Sequence, residues 1–349
     1  MWFCVDENDK KRKSPENQRG GLIMETGGES PPGGPSGGLL NGILSGLCFA
    51  LYSLLAAGAM GLPPLAGEPG FFAAPLGAAG INDGLSALLL FIHHRRKGRR
   101  GIPGAALKTR HGRLVILGAL AGGPLANTLY LAALKTAGTQ AMPISALYPL
   151  FGCLFARLFL KQGISLRILA GMGICVLGAA LVSLTGPPEP GLSAGWLCAL
   201  LAAAGWGLDG VCSAYAMEAM PPGAILLIRQ SLSGFTLLFL ALPLLGSWSL
   251  PVRTAAFPLT VLCLLGSSCF TVLSYLNWYR ANHRLGVAGG MALNGTYIFW
   301  GAALSALWFR RLPSRENALG MILTLGGMAL IALGRGKPVF RIAGDKEVR

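Results

Sequence analysis

The sequence predicts an all-α polytopic membrane protein of ten transmembrane helices, built as two five-helix repeats of inverted topology. Three observations carry this reading. Apolar runs, many of 18 or more residues without a charge, recur along the chain to residue 334; as a helix, each is long enough to cross about 30 Å of hydrocarbon. Charged residues are 12% of the 349 and hydrophobic ones 53%, with a mean hydropathy of +0.57, whereas soluble domains carry about 25% charged residues. Finally, the two halves of the chain resemble each other.

Taken in order, residues 1–38 are polar, end in GGESPPGGPSGG, and predict a disordered cytoplasmic tail, because such a composition cannot bury a core. Its basic cluster is not followed closely by an apolar segment, so no cleavable signal is predicted; Met24 offers an alternative start. Helices are expected over 39–61, 71–92, 114–134, 140–160, 166–185, 194–216, 223–244, 258–279, 286–309 and 317–334. GPPEPG at 186–191 divides them into a first repeat, 39–185, and a second, 194–334, and a short basic cytoplasmic tail, 335–349, follows.

Orientation follows from the positive charges. With the N-terminus inside, 22 of the 29 Lys and Arg fall on the cytoplasmic side and five on the other, the rest being Arg157 and Arg229 within helices. The inside-positive rule therefore places both termini in the cytoplasm. It also accounts for the net charge of +15 without a nucleic-acid partner; Lys and Arg flank the helices instead.

INDGLSALLLF at 81–91 aligns with IRQSLSGFTLLF at 228–239, and YLAALKTAGTQAMPISALYP at 130–149 with YRANHRLGVAGGMALNGTYI at 279–298. Phe49-Ala50 falls opposite Trp206-Gly207. Five helices is an odd number, so two similar halves must lie in opposite directions across the bilayer. That is an inverted-repeat secondary-transporter pattern, with a site near the midplane.

Several chemistries are excluded. Gly205-Trp206-Gly207-Leu208-Asp209-Gly210 spells G-x-G-x-x-G, but a dinucleotide loop needs a preceding strand and a later acidic residue, and this stretch lies inside a membrane helix. Its glycines, like the pairs Gly42/Gly46, Gly118/Gly122 and Gly286/Gly290, read as helix-packing positions. Asn294-Gly-Thr matches a glycosylation sequon, again within a helix. The eight cysteines form no C-x-x-C pair and the four histidines show no zinc spacing, so neither disulfide, metal nor cofactor is predicted. Nor is there a Ser-His or Cys-His constellation for an enzyme.

What remains are polar residues at depth. Asp83 and Asp209 are the two acidic residues well inside helices. A mid-membrane carboxylate costs about 2.5–3.5 kcal/mol on insertion scales, so each needs an interior partner. Each reads either as half of a packing ion pair or as a contact for a cationic solute or coupling proton. Arg229, beside Gln230, is a partner for Asp209 or Asp83 or else snorkels outward, while Arg157 reads as a snorkelling anchor. Tyr130, Tyr148, Trp206, Tyr275, Tyr279, Tyr297 and Trp300 lie on five helices. Singly each reads as packing; as a set, aromatic faces with one carboxylate are what a quaternary ammonium needs, because it has no N–H to donate and is held by cation–π attraction.

YPLFGCLFARLFLKQGISLRILAGMGICVLGAALV and WFRRLPSRENALGMILTLGGMALIAL resemble the drug/metabolite transporter (EamA-type) superfamily, with Pro149 and Gly171 at its expected positions. Gln162 and Arg311 stand in place of its turn glutamate and Ile298 in place of its second proline. GALAGGPLANTLYLAALKTAG, SALYP, GWLCALLAAAGWG, SAYAMEA, LLIRQ and SYLNWYRANHRL further resemble LicB-type bacterial choline transporters. This resemblance implies choline uptake across a bacterial cytoplasmic membrane through an aromatic cage, with protons as a candidate coupling ion. It implies a substrate site of Trp206, Asp209, Tyr130, Tyr148, Tyr275, Tyr279, Tyr297, Trp300 and Phe49, where Phe49 replaces a Trp and Asp209 a Glu. Asp83, Asn82 (in place of a His), Arg229 and Gln230 would support coupling. The expected partners are a small choline-like cation and the lipid bilayer, in a monomer or homodimer. The competing expectation is an exporter of amino acids or cationic amines.

Overall fold

The computed structural model describes residues 35–98, 104–160, 165–185, 192–310 and 314–333. Among them there is no strand. The tail expected over 1–38 and the basic tail over 335–349 fall largely or wholly outside these residues; helix α1 already begins at Pro35, four residues before the expected start.

The principal helices are α1 (Pro35–Met60), α2 (Ala73–Arg96), α3 (Arg110–Ala137), α4 (Ala141–Ser145), α5 (Tyr148–Leu160), α6 (Leu166–Thr185) and α7 (Leu192–Ala216). They continue as α8 (Pro222–Leu244), α9 (Pro258–Leu285), α10 (Val287–Asn294), α11 (Tyr297–Phe309) and α12 (Arg315–Leu333). Eight segments of the described chain are long and apolar enough to cross a membrane. The chain is a multi-pass, all-helical membrane protein, with helix in every one of the predicted segments.

Local sequence explains the interruptions. Thr109 caps α3, its hydroxyl accepting from Gly112 N at 3.1 Å. Pro124 lies in a π-turn, Ala121–Leu125, within the same helix; proline has no N–H to give and its ring displaces the preceding carbonyl. Gly138 and Gly286, at φ +56° and +81°, end α3 and α9 in a conformation that disfavours a Cβ. Gly286 therefore breaks a helix; the packing role expected for it is not what it does, for a Cβ there would meet nothing. Pro149 follows the break between α4 and α5. The corresponding break between α10 and α11 falls at Gly295-Thr296 without a proline, so the lost second proline of the pattern does not restore a continuous helix.

Small residues set the packing. α1 lies along α9, α6 along α12, and α7 against α3 and α5. On α6 and α12, Gly171 and Gly327 face each other so closely that a Cβ on either would come within 2.6 Å of the other's carbonyl oxygen. Gly205 and Gly207 likewise admit Ala121 of α3 and Phe151 of α5, and Gly210 admits Met291. The match to a dinucleotide fingerprint is thus three helix contacts. Apolar side chains such as Leu166, Leu177, Phe239 and Ile322 point outward, while Asp83, Asp209, Arg229, Asn82 and Gln230 are buried. Polar-inside and apolar-outside is the arrangement a hydrocarbon solvent favours.

At one end of the bundle the segment between α1 and α2 meets the segment between α8 and α9. Glu68 is paired with Arg253 and accepts from Ser247 Oγ at 3.2 Å. At the other end, His111 stacks on Tyr215 with ring centroids 4.8 Å apart and its Nε2 lies 4.0 Å from Glu218. Partial burial raises the Glu218 carboxyl, opposed by His111 and His283.

Candidate functional site

Between these ends the helix breaks and α1, α7 and α9 converge. Phe49 comes from α1, Tyr148 from the first turn of α5, Trp206 from α7, and Ser274, Tyr275 and Trp278 from α9. Asn294 and Tyr297 flank the α10–α11 break. Together they line one small cavity. Phe49 stands in its wall, 4.7 Å from the Tyr297 ring and 5.3 Å from Trp206. Tyr148 stands 6.3 Å from Trp206 and 6.0 Å from Trp278. Two of the six rings stand side by side because α9 places Tyr275 and Trp278 three residues apart, on one face.

The hydroxyl and indole groups of this wall have partners behind it. Tyr148 Oη donates to Met291 O or Asn294 Oδ1, at 2.5 and 2.7 Å. Tyr297 Oη is 2.7 Å from Ser145 Oγ. Trp206 Nε1 donates to Asn127 Oδ1 at 3.1 Å, and Arg229 Nη2 donates to Tyr275 Oη at 2.8 Å.

Beneath the aromatic wall lies a polar network. Arg229, 1% exposed, donates from Nε to Asp209 Oδ2 at 2.8 Å, from Nη1 to Gln230 and from Nη2 to Gly122 O; its guanidinium lies 4.1 Å over the Tyr275 ring. The carbonyl of Gly122 belongs to the π-turn, where the ordinary helix bonding is offset and an acceptor becomes free. Asp209 also accepts from Ser213 at 3.0 Å and Tyr279 at 3.3 Å. The pair Gly118/Gly122 makes room for that carboxylate; a Cβ on Gly122 would sit 2.4 Å from its Oδ2.

Asp83, fully buried, is held by neutral donors: both oxygens by Asn127 Nδ2 at 3.2 and 3.0 Å, and further by Asn82 at 3.1 Å, Gln230 at 3.2 Å and Ser233 at 2.5 Å. Asn127 therefore joins the aromatic wall to Asp83, its oxygen facing Trp206 and its amide nitrogen facing the carboxylate. With both carboxylates ionised, Asp83, Asp209 and Arg229 carry one net negative charge.

Of the residues the sequence singled out for the substrate, Phe49, Tyr148, Trp206, Tyr275 and Tyr297 are brought together round the cavity. Asp209, Tyr130, Tyr279 and Trp300 do not line it. Tyr130 backs Trp206 at 4.9 Å and bonds Ser53 at 2.8 Å, Tyr279 serves Asp209, and Trp300 packs on Phe299 at 5.1 Å on the partly exposed side of α11. Arg229 is an interior ion-pair partner and does not snorkel, because Asp209 and three neutral groups, Gln230, Gly122 O and Tyr275, satisfy it where it is. Asn82 accepts from Ser267 Oγ at 2.8 Å and so ties α2 to α9. Sequence reasoning missed Asn127, Trp278, Ser274 and Asn294. Asn127 and Trp278 sit one helical turn from Tyr130 and Tyr275, a signal that was available; Asn294, set aside as a sequon, is buried and donates to Ser45 at 2.6 Å. Among the described residues no group of three His, Cys, Asp or Glu is placed to hold a metal.

Comparison with known proteins gives three findings. The model of the EamA-like transporter family matches residues 36–184 and again 193–333. Protein LicB of Haemophilus influenzae is 26% identical over 221 residues, which is 62% of this chain and 74% of that protein. A protein of known crystal structure superposes with a TM-score of 0.60 at 17% identity, over 85% of this chain and 97% of that one; this likeness concerns the fold alone.

Proposed function

The chain belongs to the EamA-like transporter family, and from that premise we propose that it imports choline or a related quaternary amine across a bacterial cytoplasmic membrane. Ten crossings form two inverted repeats, 39–185 and 194–334, with both termini inside. The observation that carries the substrate class is the wall of six aromatic rings lying directly on a buried network of two carboxylates, Asp83 and Asp209, and one guanidinium, Arg229. A trimethylammonium group offers no N–H, so it gains from ring faces, each worth up to about 2 kcal/mol when desolvated, and from a negative charge that it need not touch. Asp209 and Asp83 act through the net charge, since hydrogen-bond donors already occupy the oxygens of both. The likeness to LicB supports the same reading.

The wall also indicates how a solute is handled. The cavity lies where α4–α5 and α10–α11 break, and discontinuous helices let one repeat rock against the other around a fixed site. Inward movement of a monovalent cation at −100 mV is favoured by about 2.3 kcal/mol, so uptake does not require protons.

The test is uptake of radiolabelled choline into cells lacking other choline systems, with betaine, carnitine and amino acids as unlabelled competitors. Saturable uptake, blocked best by choline analogues and weakened at least about fivefold in affinity by Trp206→Ala, is the expected result. No uptake together with efflux of amines or amino acids would instead place the protein among exporters of the same fold.

A further inference from the structure

Among the eight residues round the cavity, one polar side-chain atom has no hydrogen-bond partner: Nε1 of Trp278. Its neighbours are all accounted for. Trp206 donates to Asn127, Tyr148 to Met291 or Asn294, and Tyr275 accepts from Arg229. Tyr297 pairs with Ser145, Ser274 donates to Ser45 O at 3.0 Å, and Asn294 spends its amide on Ser45 and its oxygen on Tyr148. Trp278 itself is 4% exposed and packs edge-to-face with Tyr148 and Tyr275 at 6.0 and 5.5 Å. A ring face is at best a weak partner for an N–H, and buried donors are rarely left unpaired without a functional reason.

Indole can donate and cannot accept. Whatever pairs with Trp278 must therefore carry an acceptor, and no acceptor of the wall stands within hydrogen-bond reach of its Nε1. We propose that Trp278 Nε1 donates to an oxygen of the transported cation, which makes the substrate an ammonium compound bearing a hydroxyl rather than a simple tetraalkylammonium. The rings then recognise the charged head and Trp278 the oxygen at the other end. This rests on the quaternary-amine reading above and narrows it to a class; in that class choline has its oxygen two carbons from the nitrogen.

The experiment measures inhibition constants of choline and of n-propyltrimethylammonium, the same size and charge without the hydroxyl, for the parent and for Trp278→Phe in full-length protein in proteoliposomes. The parent should favour choline by about tenfold, because a site built to bond an oxygen discriminates strongly against an analogue lacking it. Trp278→Phe keeps a ring in the wall, so it should leave the propyl compound within about twofold and bring choline to the same level. Each ratio is taken within one protein, so altered expression or folding cancels. Equal inhibition by the two compounds in the parent, or a preference that survives Trp278→Phe, overturns the donor role while leaving the cation site standing. If neither compound binds the parent, both readings fall.

Discussion

Replacing Arg229 by Met would test whether the Arg229–Asp209 pair holds the core together. The side chain is 1% exposed, and its loss removes bonds to Asp209, Gln230, Gly122 O and Tyr275 as well as the ring contact at 4.1 Å. The larger cost is what stays behind. Asp209 keeps Ser213 and Tyr279, and the two carboxylates lose the guanidinium of the cluster. Breaking a buried pair from one side costs about 3–5 kcal/mol. For a chain of this length that lowers the thermal midpoint by on the order of 10 °C. Size-exclusion chromatography of heated, detergent-solubilised protein reads this directly. The second variant is the double replacement Arg229→Met/Asp209→Leu. It removes the orphaned charge, so it should regain part of the loss, with a coupling on the order of 1–3 kcal/mol. If Arg229→Met melts within about 2 °C of the parent, or the double replacement is worse than the sum of the two single ones, the pair is not the support described here.

Three further expectations follow from the same geometry. Gly122→Ala puts a methyl 2.4 Å from the Asp209 carboxylate and should cost at least about 1–3 kcal/mol, whereas Gly58→Ala on α1, with nothing within 4 Å, should be neutral or slightly stabilising; melting curves compare them. Asn127→Leu cuts the link between Trp206 and Asp83, and should lower the maximal rate of uptake more than it raises KM, with wild-type-like levels of protein on immunoblots as the control. Asn127→Ser, which keeps a hydroxyl there, should recover part of that rate.

The division between what could be read and what had to be seen follows from range. Apolar runs, glycine pairs and the charges of the loops are local properties of about twenty residues, and the hydrocarbon acts on each run separately. So the helical class, the membrane segments and the aromatic residues Tyr148, Trp206, Tyr275 and Tyr297 were legible. The cost of a buried charge also made it legible that Asp83, Asp209 and Arg229 need partners. Which partner each takes was not, because Arg229 lies 20 residues from Asp209 and 46 from Tyr275, and no periodicity reports how α7, α8 and α9 meet. Asp209 and Arg229 each have more than one candidate partner in the sequence; the tertiary structure pairs them with each other and leaves Asp83 to neutral amides and the Ser233 hydroxyl. Asn127 stands one turn from Tyr130 in the sequence, but an asparagine becomes a bridge only when α3 brings it between Trp206 and Asp83. By itself, the sequence determined that polar groups are sunk in a bilayer-spanning helical protein; the packing of the helices decided which of them are spent on one another and which face the cavity.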